Sequence, residues 1–215
     1  QDGVGWYQVL QHGGRRWSTY DGYLRPARSR PNLRIETGAH VLRVELDGAR
    51  CTGVSFRQAG REVTVQAGVE VIMAAGSVQT PQILELSGIG SPAVLQPLGL
   101  PVRHALEGVG ENYIDHFCTR MNWRLKDTIT LNEMARGWRL VRAVAQYFAS
   151  RTGILTLGTG LVHGFVRTRP ELATPDAQYF FMHATYANAA ERILDKVPGM
   201  TIGVAQLRPE STGSI

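Results

Sequence analysis

A chain of 215 residues, 43% hydrophobic and 19% charged, suits one sizeable globular domain or two small ones and excludes general disorder. No apolar stretch is long enough to span a bilayer, and Cys51 and Cys118 stand in no metal-ligand spacing, so neither a membrane span nor a disulfide framework is expected. The net charge of +5 raises nucleic-acid binding, but the arginines between positions 15 and 34 are not interleaved with a regular aromatic platform and no recognised nucleic-acid motif accompanies them, so no nucleic-acid partner is expected.

Residues Gln1–Arg30 read as irregular, broken by Gly3, Gly5, Gly13, Gly14, Gly22 and Pro26. Leu33–Thr37, Ala39–Leu46, Cys51–Arg57 and Glu62–Ala67 read as strands, with turn signals at Asp47-Gly48 and Ala59-Gly60, which makes a β-meander. Val69–Gly76 is an apolar run of the kind a buried strand carries. Gly76 then permits a sharp turn, Thr80-Pro81 is suited to open a helix, and Ser87-Gly88 to close it. Pro92–Leu98 is a second short helix ended by Gly99, and Leu100–Leu106 is extended.

Farther on, Leu131, Met134, Trp138, Val141, Ala145 and Phe148 recur at helical spacing. Thr130 with Glu133 forms a capping-box pattern at the start of this helix, and Gly153 marks its end. Arg136, Arg139 and Arg142 lie mainly off the stripe, so a core-facing helix with a solvated side is expected over a membrane-surface one. Gln178–Thr185 and Met200–Leu207 read as strands. The fold class is α+β.

Chemistry is sparse by motif. There is no HExxH, CxxC or close His/carboxylate cluster, so no metal is expected, and no GxSxG elbow for a serine nucleophile. The order of four segments is more specific. Gly76-Ser77, Thr80-Pro81, Ile83-Leu84 and Ser87-Gly88-Ile89-Gly90 resemble the second signature of the glucose–methanol–choline (GMC) flavin oxidoreductases. Arg30-Pro31-Asn32-Leu33 with Thr37 and Val41, Gly108–Asn112 with Asp115-His116, and Arg208-Pro209 with Ser211 and Gly213 resemble three further stretches of that family, in the same order.

The resemblance implies FAD as cofactor, a small-molecule alcohol as substrate, and hydride transfer from its CH–OH carbon to the flavin. It implies a partial FAD-binding domain over 1–118 and a partial substrate-binding domain, built on an antiparallel sheet, over 119–215. Cofactor contacts are expected at Val41, Ala75, Gly76, Ser77, Asn112, Asp115 and His116, although Tyr113-Ile114 depart from the family's commoner Leu-Gln. The family's GxGxxG fingerprint and its C-terminal HPxGT stretch with the catalytic histidine do not occur here. None of His12, His40, His104, His116, His163 and His183 is therefore assigned as base, and no catalytic residue is assigned at all.

The chain reads as the central part of a longer enzyme. Its expected partners are the missing N- and C-terminal segments, or another chain that supplies them. Alone it is expected to be inactive and to carry open sheet edges; the alternative is a non-catalytic assembly module that keeps part of the fold. Leu155–Phe165 is expected to be a mobile, glycine-permitted loop at the substrate entrance. A cytoplasmic, reducing location suits the two cysteines.

Overall fold

A computed structural model describes residues 2–158 and 160–215. The chain forms two compact units. One comprises residues 1–33 and 116–209, the other residues 34–115 and 210–215. Where the sequence suggests a single cut after residue 118, the chain changes unit after 115, and its first 33 residues return to the later part.

The unit of residues 34–115 is built on an antiparallel meander of His40–Asp47, Arg50–Gln58 and Arg61–Gln66. Val44 and Phe56 are buried within it. Ala59 (φ 48°) and Gly60 (φ 78°) both adopt left-handed backbone between the paired Gln58 and Arg61, the requirement of a type I′ hairpin. Alanine pays a steric penalty there that asparagine largely avoids. Ala59→Asn is accordingly expected to stabilise this unit by about 0.5–1 kcal/mol, measured as a higher urea midpoint; an unchanged or lowered midpoint would contradict the assignment.

Two expected strands are not strands. Leu33–Thr37 forms no ladder; the Gln58 side chain instead donates to the Thr37 carbonyl at 2.9 Å and to Glu36 at 3.2 Å. Val69–Gly76 also forms no ladder, and Val69 and Ile72 are 90% and 79% exposed. An apolar run supplies strand propensity but not a hydrogen-bonding neighbour, and among the described residues this one has none.

The helix that follows runs Gly76–Leu86 and begins before Thr80, so Pro81 lies inside it and leaves the Ser77 carbonyl without an amide donor. Its other end is as expected. Gly88 is left-handed (φ 83°) and its N–H bonds the Glu85 carbonyl at 2.9 Å. The Ser87 hydroxyl donates to the Ile83 carbonyl at 2.5 Å and accepts the buried Val44 N–H at 2.9 Å. The end of the helix thereby occupies the outer edge of the meander. Pro92–Leu95 forms the second short helix, with Leu95 fully buried, and Ile89–Gly90 pairs in parallel with His104–Ala105.

The other unit is organised on a five-stranded antiparallel sheet in the order Gly3–Trp6, Gly160–Val166, Ala177–Met182, Gly199–Gln206, Cys118–Arg124. Ala177–Met182 and Gly199–Gln206 match the two strands expected from sequence, although His183–Thr185 leave the ladder. Burial alternates along Gly199–Gln206, as a strand with one face on a core requires. Two of the other three strands depart from expectation. Gly3–Trp6 lies in the segment expected to be irregular, and most of the expected mobile loop Leu155–Phe165 is the strand Gly160–Val166; Thr159 lies outside the described residues. Each gains its ladder from a partner far away in sequence, which local composition does not reveal.

Gly3–Trp6 and Cys118–Arg124 border the sheet, and the latter is exposed along its length. Between the strands ending at Val166 and starting at Ala177, Asp176 closes a loop by accepting the Thr168 hydroxyl at 2.6 Å and the Thr168 N–H at 2.8 Å. These two bonds hold its carboxyl below the ordinary value of 3.8. A lowered folded-state pKa gives stability that is present above the unfolded value and lost as pH falls through the folded one. Acid titration of the unfolding midpoint is thus expected to fall below pH 3.8 more steeply for the parent than for Asp176→Asn; identical acid limbs would show that the loop contributes nothing.

The capping box forms as expected: the Thr130 hydroxyl accepts the Asn132 N–H and Glu133 accepts the Thr130 N–H at 2.8 Å. The single long helix does not. It is split into Leu131–Met134 and Gly137–Ser150, because Gly137 takes a left-handed backbone (φ 53°) that no helix interior allows. The expected core-facing stripe is also reversed in place: Ala143 is the buried residue of Gly137–Ser150, whereas Trp138, Val141 and Phe148 are exposed.

Candidate functional site

In the unit of residues 34–115, the start of the helix Gly76–Leu86 is the feature that offers unused hydrogen-bonding groups. No side chain caps it, and Ala75, Gly76 and Ser77 are all exposed. The first amides of a helix have no intrahelical acceptor, so these N–H groups are free to meet a ligand. Gly76 has φ 90°, and a Cβ built there would meet no heavy atom within 4 Å. The glycine is needed for its backbone angle, and the space beside it is open.

The helix packs on the strand His40–Asp47, where Val41 is half-buried opposite Phe56. Gly108–Asn112 is anchored nearby in the fold. A Cβ on Gly110 would stand 3.0 Å from the Glu85 carboxylate and from the Ile215 carbonyl, and the Ile215 N–H bonds the Gly110 carbonyl at 2.8 Å. Asn112 is exposed and left-handed (φ 59°), beside Tyr113, which exchanges backbone hydrogen bonds of 2.8 Å with Gly213. The structure therefore collects Ala75, Gly76 and Ser77 at one helix start, with Val41 on the strand under that helix. Asp115 ends this unit, and His116, also exposed, begins the other.

These groups fit a cofactor laid against the backbone: free amides at the helix start, a Cβ-free approach at Gly76, and, in the preceding run, Val69 and Ile72 exposed. Among the described residues no group of histidine, cysteine, aspartate and glutamate could hold a metal ion.

The other unit holds a cavity of about 700 Å³, bordered by Tyr7, Leu10, Arg15, Tyr147, Leu157 and Leu161 among others. Burial pushes the Tyr7 hydroxyl above its ordinary pKa of 10.0. Its ring stacks on His163 at 4.7 Å, and His163 meets Phe165 at 5.2 Å. His163 is a half-buried strand residue, while His12, His40 and His104 are exposed. The hairpin Gln11–His12/Arg15–Arg16 that lines this cavity was missed by reading the first residues as irregular. Gly13-Gly14 between short polar pairs was the signal that could have revealed it.

The GMC oxidoreductase family profile matches residues 1–118, more than half of the chain. The chain belongs to the GMC oxidoreductase family. This GMC chain is similar to the mitochondrial choline dehydrogenase of Mus musculus, with 38% identity over 185 residues, 85% of this chain and 30% of that protein. It is likewise similar to an alcohol dehydrogenase (acceptor) of Pseudomonas putida, with 35% identity over an alignment of 221 residues that covers 100% of this chain and 39% of that protein. The chain thus spans between 30% and 39% of the length of these two relatives.

Solved structures agree on the fold. Formate oxidase superposes with a TM-score of 0.79 at 24% identity, over 93% of this GMC chain and 39% of its own. An FAD-dependent oxidoreductase from Chaetomium thermophilum gives 0.82 at 19% identity, over 99% and 43%. GMC oxidoreductases are FAD-dependent, and the antiparallel sheets with accompanying helices seen here are those of their fold.

Proposed function

We propose that this chain is the central part of an FAD-dependent oxidoreductase that removes a hydride from the CH–OH carbon of a small alcohol. The observation that carries the reading is the family match over residues 1–118, which includes the uncapped helix start at Gly76. When bound, FAD supplies the acceptor for the two electrons of the alcohol carbon. The chain's own part is to hold and orient. The amides at Gly76 and Ser77 donate hydrogen bonds, the Val41 backbone meets the adenine end, and Asn112 and Asp115 complete the cofactor side of the 34–115 unit. His116 is a contact of the same segment. Residues 119–209 belong to the substrate side, and residues 1–33 pack with them.

No residue of this chain is assigned as the base that takes the hydroxyl proton, because none of its six histidines stands in the family's HPxGT context. The segments that supply the base and the pyrophosphate loop, in the same polypeptide or another, are its partners. The names of the relatives point to an alcohol such as choline as substrate class. The free thiols of Cys51 and Cys118 suit a reducing compartment such as the cytoplasm, and among the described residues no helix is long and apolar enough to cross a membrane.

The test is the visible spectrum together with turnover. A polypeptide that joins this chain to the family's flanking segments is expected to show a flavin band and to reduce a dye with alcohol, and Gly76→Val is expected to lose the band. The 215-residue chain alone is expected to give no turnover. Alcohol oxidation by that chain, or a flavin band indifferent to Gly76→Val, would overturn the reading.

A further inference from the structure

One amphipathic surface has no part in the redox reading. Trp138, Val141, Ala145 and Phe148 share one face of the helix Gly137–Ser150, and Trp138, Val141 and Phe148 are 66%, 69% and 68% exposed. The helix meets its own unit with another side, on which Ala143 is buried and Tyr147 half-buried. A contiguous apolar face with two large aromatic side chains in solvent marks an interaction surface.

The charges around it select the occupant. From Met134 to Pro170 the sequence carries arginine at 136, 139, 142, 151, 167 and 169 and no aspartate or glutamate. The Arg139 guanidinium lies 5.6 Å from the Trp138 ring centre. Arg151, at the C-terminal end of the helix, lies over Tyr147 at 4.7 Å and over Phe148 at 5.4 Å. It also shares a cavity of about 460 Å³ with Arg15 and Arg16 and with the Asp21–Arg25 ion pair, which leaves the lining net positive. Among the described residues, Arg15, Arg16, Arg139, Arg142 and Arg151 take part in no ion pair.

Aromatic side chains bordered by unpaired guanidinium groups disfavour a second copy of the same face, since the arginines would meet one another. The surface of an anionic bilayer satisfies both halves at once. The acyl boundary receives Trp138, Val141 and Phe148, and lipid phosphates receive the flanking arginines. We infer that Gly137–Ser150 is an in-plane docking helix that lays this chain on a membrane rich in anionic phospholipid. The inference is independent of the redox reading.

The test is co-sedimentation of the 215-residue chain with vesicles of equal phosphatidylcholine and phosphatidylglycerol, against vesicles of phosphatidylcholine alone. Binding is expected to the first and to fall as salt is raised. The double variant Arg139→Glu/Arg142→Glu is expected to bind roughly tenfold more weakly or worse. Trp138→Ser/Phe148→Ser is expected to lose binding even at low salt. Trp138, Arg142 and Phe148 are exposed and turned away from Ala143, whereas Arg139 is half-buried one turn before it, so thermal unfolding of each variant is measured beside binding and should match the parent, which excludes misfolding. Equal binding to both vesicle types, or full binding by the charge-reversed variant, would overturn the inference. So would self-association that Phe148→Ser abolishes with no vesicle binding, which would assign the face to a second copy.

Discussion

Replacing Asn132 with alanine is expected to destabilise the unit of residues 1–33 and 116–209 by about 3–4 kcal/mol. Asn132 is fully buried at the capped turn Leu131–Met134. Its amide nitrogen donates to the carbonyls of Thr185 at 2.9 Å and Asp195 at 3.0 Å, and its oxygen accepts the Thr185 N–H at 3.1 Å. The two carbonyls keep other partners: the Asp195 N–H bonds the Thr185 carbonyl, and Arg136 donates to the Asp195 carbonyl. The Thr185 N–H does not, so truncation buries an unpaired donor, which alone costs about 1–3 kcal/mol. The two lost donations and the emptied volume account for the rest.

Asn132→Asp should be as damaging at neutral pH, because the new carboxylate faces two carbonyl oxygens at the distance where the amide donated. The measurement is urea unfolding followed by tryptophan fluorescence. Trp6, Trp17, Trp123 and Trp138 all belong to this unit, so the signal reports on it alone. A loss below about 1 kcal/mol would show that Asn132 does not tie the turn to the residues after the strand Ala177–Met182.

Gly88→Ala is expected to be equally severe in the other unit, at about 3 kcal/mol or more. Two effects combine. The residue has φ 83°, which an L side chain adopts only under strain, and the new Cβ would lie 2.5 Å from the Pro101 carbonyl oxygen and 2.9 Å from the Arg103 side chain. Pro101 is backbone and cannot rotate away. The damage should propagate, because Ser87, the preceding residue, satisfies the Val44 N–H at the edge of the meander. Amide exchange is the suitable readout: rates at Val44 and along Gly76–Leu86 should rise together. Gly88→Asn separates the causes. Asparagine tolerates the left-handed backbone but keeps the clash, so it should rescue little. A near-complete rescue would show that backbone angle alone matters.

Much of this architecture was legible in the residues, and the failures have one physical origin. Where structure is decided locally, sequence sufficed. Thr130 and Glu133 form their capping box, Gly88 closes its helix, and Asp47-Gly48 and Ala59-Gly60 turn the meander. Where a distant partner decides, it did not. Gly160–Val166 carries glycines at both Gly160 and Gly164 and looks like a loop until Gly3–Trp6 and Ala177–Met182 flank it. Conversely, Val69–Gly76 is more apolar than most strands in the fold but lacks a neighbour among the described residues. Helix boundaries failed as well: Pro81 signals a start although the helix begins at Gly76, and Gly137, inside what reads as one long helix, divides it by its left-handed backbone.

The site was legible in a different way. Its residue types are ordinary, and no single one of Val41, Ala75, Gly76 or Ser77 announces cofactor chemistry. Order and spacing of four segments carried the family, whereas the free amides at Gly76 became visible only once the helix was seen to start there without a cap. The Arg15, Arg16 and Arg151 cluster joins residues 135 positions apart and could not be assembled from sequence at all.

The central claim is that the 34–115 unit presents one side of an FAD site at Val41 and Ala75–Ser77. Amide NMR of the isotope-labelled chain, titrated with FAD, tests it most directly. The account expects concentration-dependent shifts at Val41, Ala75, Gly76 and Ser77, abolished by Gly76→Val while the Trp-bearing unit stays unchanged. Shifts confined to Arg15, Arg16 and Arg151, with Val41 and Ala75–Ser77 unmoved, would mean that the dianionic pyrophosphate merely finds the basic patch, and would contradict the claim.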